Sequence, residues 1–395
     1  MQILDKRKAM AITPLLRLGF RPFFLLGSLL AALAIPLWLL ALQGWPLAEQ
    51  PLGGWLAWHR HELVFGFAGA IIAGFLLTAV QTWTGRPSLS GKPLAVLVAI
   101  WLLARLMWWS GSPLLLLLSN LLFFAGVALV MARLLWVVRQ SRNYPIVAVL
   151  LLLLGADLLT LLGVQQGNDG WQRQGAWAAV WLVAAMMGLI GGRVIPFFTQ
   201  RGLGRMTAVQ PWAWLDWALL LLTAALAVLH ASGSALLAQA WLGLAFAALA
   251  LGHGIRLLRW FDGGLLRVPL LWSLHLAYAW LVLACAGMAL WHFGLLGNPS
   301  QALHALTVGG VGGLILAMLA RVSLGHTGRP LELPRGFALA FVLLNLGGVF
   351  RVLGVGFWYL PSLWLAAICW TCAFAQYLYC YAPMLWSTRA DGHPG

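Results

Sequence analysis

The chain has 395 residues, of which 62% are apolar and only 8% charged, against about 25% charged in an average soluble domain. With a mean hydropathy of +0.90 it cannot cover its own surface with polar groups in water, which excludes a cytosolic enzyme, a secreted disulfide scaffold and a nucleic-acid-binding domain. The net charge of +15, from 24 Lys and Arg against 9 Asp and Glu, falls between apolar runs and reflects topology rather than a footprint for nucleic acid.

In chain order, apolar runs broken by Gly, Pro and charge predict an all-α polytopic membrane protein, one integral membrane domain over 1–395 with twelve transmembrane helices. The first six spans are 20–43, 55–82, 94–110, 113–139, 145–165 and 171–198. The second six are 211–231, 235–258, 268–294, 300–324, 336–356 and 359–386. Lys6, Arg7 and Lys8 precede an apolar run without a small-residue cleavage site, so the first helix reads as uncleaved. Cys369 and Cys372 form a CxxC inside the last span, near Cys380, and read as small apolar residues of a packed helix.

Lys and Arg are one-sided. The N-terminus and the loops after even-numbered helices gather twenty of them, against four on the other side: Arg60, Arg105, Arg173 and Arg351. This positive-inside pattern supports an even number of spans with both termini cytoplasmic.

A short repeat marks helices two, six and ten. Their exits read Thr84-Gly85-Arg86-Pro87, Thr199-Gln200-Arg201-Gly202 and Thr327-Gly328-Arg329-Pro330, with Arg193-Val194 and Arg321-Val322 each six residues before the Thr. A four-helix unit used three times would produce this, and so would a stock helix-exit signal. His61 and His304 each lie 23 residues before the Thr, hence at matching depth, on the order of 10 Å inside their spans.

Ionisable groups in hydrocarbon are functional candidates by default. Trp58-His59-Arg60-His61-Glu62 opens helix two. His59 and His61, two apart, project about 200° apart on a helix, so they suit two partners rather than one metal. Histidine is the commonest metal ligand and an axial ligand of haem iron. His275 in helix nine has Tyr278 at i+3 and suits a second metal site or a proton path. His326, Arg193 and Arg321 are candidates for structural or secondary roles at helix ends, where an arginine can also simply snorkel. His230, His253 and His292 at span ends, and His393 in the tail, read as ordinary interfacial residues. Asp157 and Asp216 are the other buried acids, and most of the 24 Trp suit an aromatic belt.

Several of these stretches occur together in a known family. Leu18-Gly19-Phe20-Arg21-Pro22-Phe23-Phe24, the His59–Glu62 cluster with Gly66-Phe67 and Gly74-Phe75-Leu76-Leu77-Thr78-Ala79-Val80, and Gly191-Gly192-Arg193-Val194-Ile195-Pro196-Phe197-Phe198-Thr199 are three of them. The others are His275 with Tyr278, Leu303-His304-Ala305-Leu306-Thr307-Val308-Gly309-Gly310, and Arg321 through Pro330. In these motifs, spread over nearly the whole chain, the sequence resembles the NnrS family. The resemblance implies a multi-pass protein of the bacterial inner membrane, containing haem and copper and tied to nitric oxide metabolism and nitrosative stress. The plan of three four-helix arcs is also similar to the haem-copper oxidase catalytic subunit, where a His-x-His pair serves two metal sites; that is fold-level analogy.

Two functions follow as expectations. One is an oxidoreductase resembling a nitric oxide reductase. It would use heme b and copper to bind nitric oxide and reduce it to nitrous oxide, with metal ligands His59, His61, His304 and His275, and with Glu62 and Tyr278 moving protons or orienting a ligand. His61 and His304 are expected to face each other across one haem iron, with His59 serving a second site; the roles of His59 and His61 are interchangeable at this stage. No haem-c or flavin motif appears, so a quinol or cytochrome would supply electrons from outside. The other is a transporter or sensor that exports, or responds to, nitric oxide or iron-nitrosyl species.

Overall fold

The computed structural model describes residues 10–47, 49–207 and 209–393; Lys6, Arg7 and Lys8 lie outside them. Among the described residues every regular element is helical. Twelve helices are long and apolar enough to cross a membrane. They are α1 (Phe20–Leu42), α2 (Gly54–Thr84), α3 (Lys92–Trp109), α4 (Pro113–Val137), α5 (Ser141–Gln165) and α6 (Asp169–Gly202). Then follow α7 (Ala213–Ala231), α8 (Ala240–Trp260), α9 (Pro269–His292), α10 (Ser300–His326), α11 (Ala338–Gly356) and α12 (Tyr359–Trp386). Each matches an expected span. The largest shift is at α8, which starts at Ala240 rather than at 235, because Gly233 takes φ +84 and keeps the preceding residues in a turn.

By internal contacts the chain forms two compact units. One is Met1–Ala179, Leu319–Pro334 and Phe374–Gly395; the other is Val180–Met318 and Arg335–Ala373. In the first unit α1 lies close on α2 because glycine lets it. A Cβ at Gly19 would sit 2.8 Å from the Leu77 Cβ, and one at Gly74 would sit 2.9 Å from the Phe23 Cβ. Small residues are the usual means of close helix approach in a membrane, where lipid offers no hydrophobic drive. The pair is also tied by a hydrogen bond: the Phe20 N–H, one of the unpaired donors at the head of α1, donates to Thr78 Oγ1 at 2.9 Å. In the second unit α9 and α10 meet in the same manner, with Gly287 against Ala302 and Gly313 against Ala277.

Two helices change their winding part-way. In α2 the residues Glu62–Ala68 form a π-helix, and in α10 Ala305–Gly312 do the same. Each π turn begins at the residue directly after a depth-matched histidine, His61 or His304. π turns are rare and gather at functional sites. Helix α6 has none: Asp169–Gly202 is α-helical throughout. The repeat is therefore deeper between α2 and α10 than the exit motif alone suggests.

Candidate functional site

At the head of the π turn of α2, in the first unit, is a buried ionic cluster. His61 and Asp157 are fully buried and Glu62 nearly so. His61 Nδ1 lies 2.9 Å from Glu62 Oε1, and its Nε2 lies 2.8 Å from Asp157 Oδ1. Glu62 Oε1 also accepts from the Trp108 indole N–H at 2.7 Å, and Glu62 Oε2 is 2.7 Å from Arg105 Nε. Arg105 in turn donates to Asn120 Oδ1. Both His61 nitrogens can donate only in the imidazolium form. In that form two cations face two carboxylates, the balance a low-dielectric site demands. Asp157 Oδ2 is buried without a hydrogen-bond partner. Gly66, one π-helical turn beyond Glu62, makes room: a Cβ there would lie 2.7 Å from Glu62 Oε2. The Trp101 indole N–H closes the π turn by donating to the Gly66 carbonyl at 3.1 Å. His59, on the other side of α2, stacks on Trp38 with ring centroids 4.7 Å apart.

At the head of the π turn of α10, in the second unit, His304 takes a parallel position. Its Nδ1–H donates to the Ser300 carbonyl at 2.7 Å, which leaves the Nε2 lone pair to accept from Arg351 Nη2 at 3.1 Å. Arg351 also donates to Ser300 Oγ. The two histidines thus share a plan. Nδ1 is anchored by an acceptor one helical turn or less away, and Nε2 is covered by a charged side chain from another helix, Asp157 of α5 or Arg351 of α11. An anchored Nδ1–H fixes the ring and its tautomer, as the outer partners of metal-bound imidazoles do.

His275 is held similarly. Its Nδ1 lies 3.0 Å from the Leu271 carbonyl, and its Nε2 lies 3.4 Å from the Trp260 carbonyl. The Tyr278 hydroxyl, expected to act beside His275, instead shares a 2.7 Å hydrogen bond with His253 Nδ1. Arg256 lies over the Trp260 and Tyr278 rings. It donates to the Gly188 carbonyl and pairs with Asp216 at 3.3 Å. His253, which by sequence reads as an ordinary span-end residue, is buried on α8, and His230 and His292 are buried too. His292 stacks on Phe246 at 5.4 Å, and the His230 ring lies 6.2 Å from the same Phe246. His326 packs its ring against Phe20 at 5.6 Å. Arg193 is half-buried on α6 and Arg321 is buried on α10. Within each unit, no three His, Cys, Asp or Glu side chains among the described residues surround one metal-sized position.

Arg105 and Arg351 are the partners the sequence did not single out. Both belong to the four basic residues on the charge-poor side. All four lie inside spans, so position alone does not separate Arg105 and Arg351 from Arg60 and Arg173.

The family model described as NnrS protein matches residues 14–389, nearly the whole chain. The chain belongs to the NnrS family. No curated protein matches it. Membership fits a function related to nitric oxide, in a protein built to cross a membrane many times.

Proposed function

We propose that this family member binds haem, with copper, in the bacterial inner membrane and detoxifies nitric oxide by reducing it to nitrous oxide. The observation that carries the reading is the shared plan of His61 and His304. Each stands at the head of a π turn, with Nδ1 anchored and Nε2 covered by a displaceable side chain. The residues fit a metal on that basis. His304 already has its lone pair on Nε2. His61 would gain one when its Nε2 proton passes to Asp157, which then moves aside while Glu62 keeps Nδ1–H, leaving the carboxylate–histidine pair that tunes metal-bound imidazoles. His59 and His275 are the further candidate ligands.

When bound, haem and copper supply the electron-transfer and nitric oxide-binding chemistry; two nitric oxide molecules, two electrons and two protons give nitrous oxide and water. The chain's own residues do the rest. The anchored rings hold their orientation without reorganising. Glu62 and the Tyr278–His253 pair are groups that can hold a proton inside the apolar interior. A quinol or cytochrome outside the chain is the electron source.

The test is the visible spectrum and metal content of the purified protein, native and with His61→Ala, His304→Ala or His275→Ala. The expected result is a haem Soret band that shifts with nitric oxide and is lost in His304→Ala. A colourless, folded protein would overturn the proposal. Full haem in both His61→Ala and His304→Ala would move the site to His275.

A further inference from the structure

Among the described residues of the first unit is an arginine that no carboxylate contacts. Arg21, in the first turn of α1, is fully buried. Its Nη1 donates to the Leu385 carbonyl at 2.8 Å and the Ser387 carbonyl at 2.6 Å. Those groups close α12 and carry the partial negative charge of a helix C-terminus. Its Nε and Nη2 are buried with no hydrogen-bond partner. These two N–H groups form the side-on edge that grips a carboxylate or phosphate with two parallel bonds. The charges acting on Arg21 are Arg17, Arg389 and Arg329, and His326 is in the same field. All are basic. Asp391, the carboxylate of the segment after α12, pairs with Arg389 at 2.5 and 2.9 Å. A preference for Arg at one face of the membrane explains exposed arginines there, but not one sealed inside with two donors unpaired.

The segment after α12, Ser387–Asp391, packs beside it. Ser387 supplies its carbonyl to Arg21. Arg389 donates to the His326 carbonyl at 3.1 Å, and the Ala390 N–H donates to the Thr327 carbonyl at 2.9 Å. The Asp391 carboxylate rests on Gly328, where a Cβ would lie 2.6 Å from its Cγ. Gly328 also has φ +72, so the exit of α10 needs glycine on both counts.

We infer that the Nε/Nη2 edge of Arg21 is a binding site for a phosphate group, admitted when Ser387–Asp391 lifts from the exits of α10 and α12. In the closed form the Leu385 and Ser387 carbonyls hold Nη1, and the Nε/Nη2 edge has no partner among the described residues. The phosphate is that of an anionic lipid headgroup or free inorganic phosphate; both present oxygens that accept two N–H bonds. The site is independent of the haem reading.

The experiment is thermal unfolding of the full chain in nanodiscs. Phosphatidylcholine discs are titrated with inorganic phosphate against chloride of equal ionic strength, and compared with discs containing phosphatidic acid. The expected result is a rise in Tm with one of these probes. Phosphate acting in phosphatidylcholine discs identifies the free anion, and an effect of phosphatidic acid alone identifies the lipid. Asp391→Asn, which frees Arg389 and loosens the segment, should lower the midpoint concentration at least tenfold. Arg21→Met should abolish the response. If that variant does not fold, Arg21→Lys decides: it keeps the charge but loses the fork, so its midpoint should rise at least tenfold. The inference is overturned if neither probe shifts Tm in Asp391→Asn, or if Arg21→Lys responds at the native midpoint.

Discussion

His61 shows how one residue's surroundings decide its chemistry. Its two hydrogen-bond partners are carboxylates, one adjacent in sequence and one on α5. Removing one member of a buried ionic set leaves an uncompensated charge, which costs about 3–5 kcal/mol. Asp157→Ala should therefore lower the thermal unfolding midpoint strongly. Arg60→Ala, at the solvent-facing pair with Asp169, should change stability by only about 0–1 kcal/mol. Equal effects of the two would refute the buried cluster. A pH effect belongs to the loop pair Arg205–Asp262, joined by two bonds of 2.8 and 2.9 Å. The hydrogen bond from Arg205 holds the Asp262 carboxyl below its ordinary value of 3.8. The sign follows: the pair contributes fully above the unfolded value, and the contribution is lost as pH falls through the lower native one. Between pH 7 and 5 the carboxyl signal of Asp262 in carbon-13 NMR should not move; a midpoint above about pH 4 would contradict the pair.

At the scale of elements, the π turns of α2 and α10 were not legible in the sequence. A hydrophobic run reads the same whether it winds as α or π, because the choice rests on which carbonyls and side chains neighbouring helices can satisfy. Trp101 supplies that satisfaction for Gly66. In α10 the fit is steric: a Cβ at Gly309 would lie 2.3 Å from the Trp280 ring. Gly309→Ala should overpack the α9–α10 contact and cost about 1–3 kcal/mol. Gly155→Ala on α5, where a Cβ meets nothing within 4 Å, should be neutral or stabilising by up to about 1 kcal/mol. Chemical or thermal unfolding of the two variants side by side checks this, and a Gly309→Ala protein as stable as the native one would rule out the close approach.

For the whole molecule, we propose that an even number of spans puts both termini on one side of the membrane, the cytoplasmic side by the one-sided Lys and Arg. A fluorescent protein fused to the C-terminus should fluoresce and a phosphatase fused there should stay inactive; the reverse would overturn the assignment. Matched π turns relate α2 to α10, and α6 does not share them. The helices and their number, with boundaries to within about five residues, were determined by the sequence alone, because each span must satisfy its own backbone in lipid and must be apolar over about 20 residues to do so. The family was legible for a similar reason: its motifs are local strings. What only the tertiary structure decided was pairing. Asp157 meets His61 from 96 residues away, Arg351 meets His304, and His253 rather than His275 takes the Tyr278 hydroxyl. Nothing in local spacing selects these partners. They follow from which helix faces are brought together, and a buried polar group takes whatever partner that packing supplies.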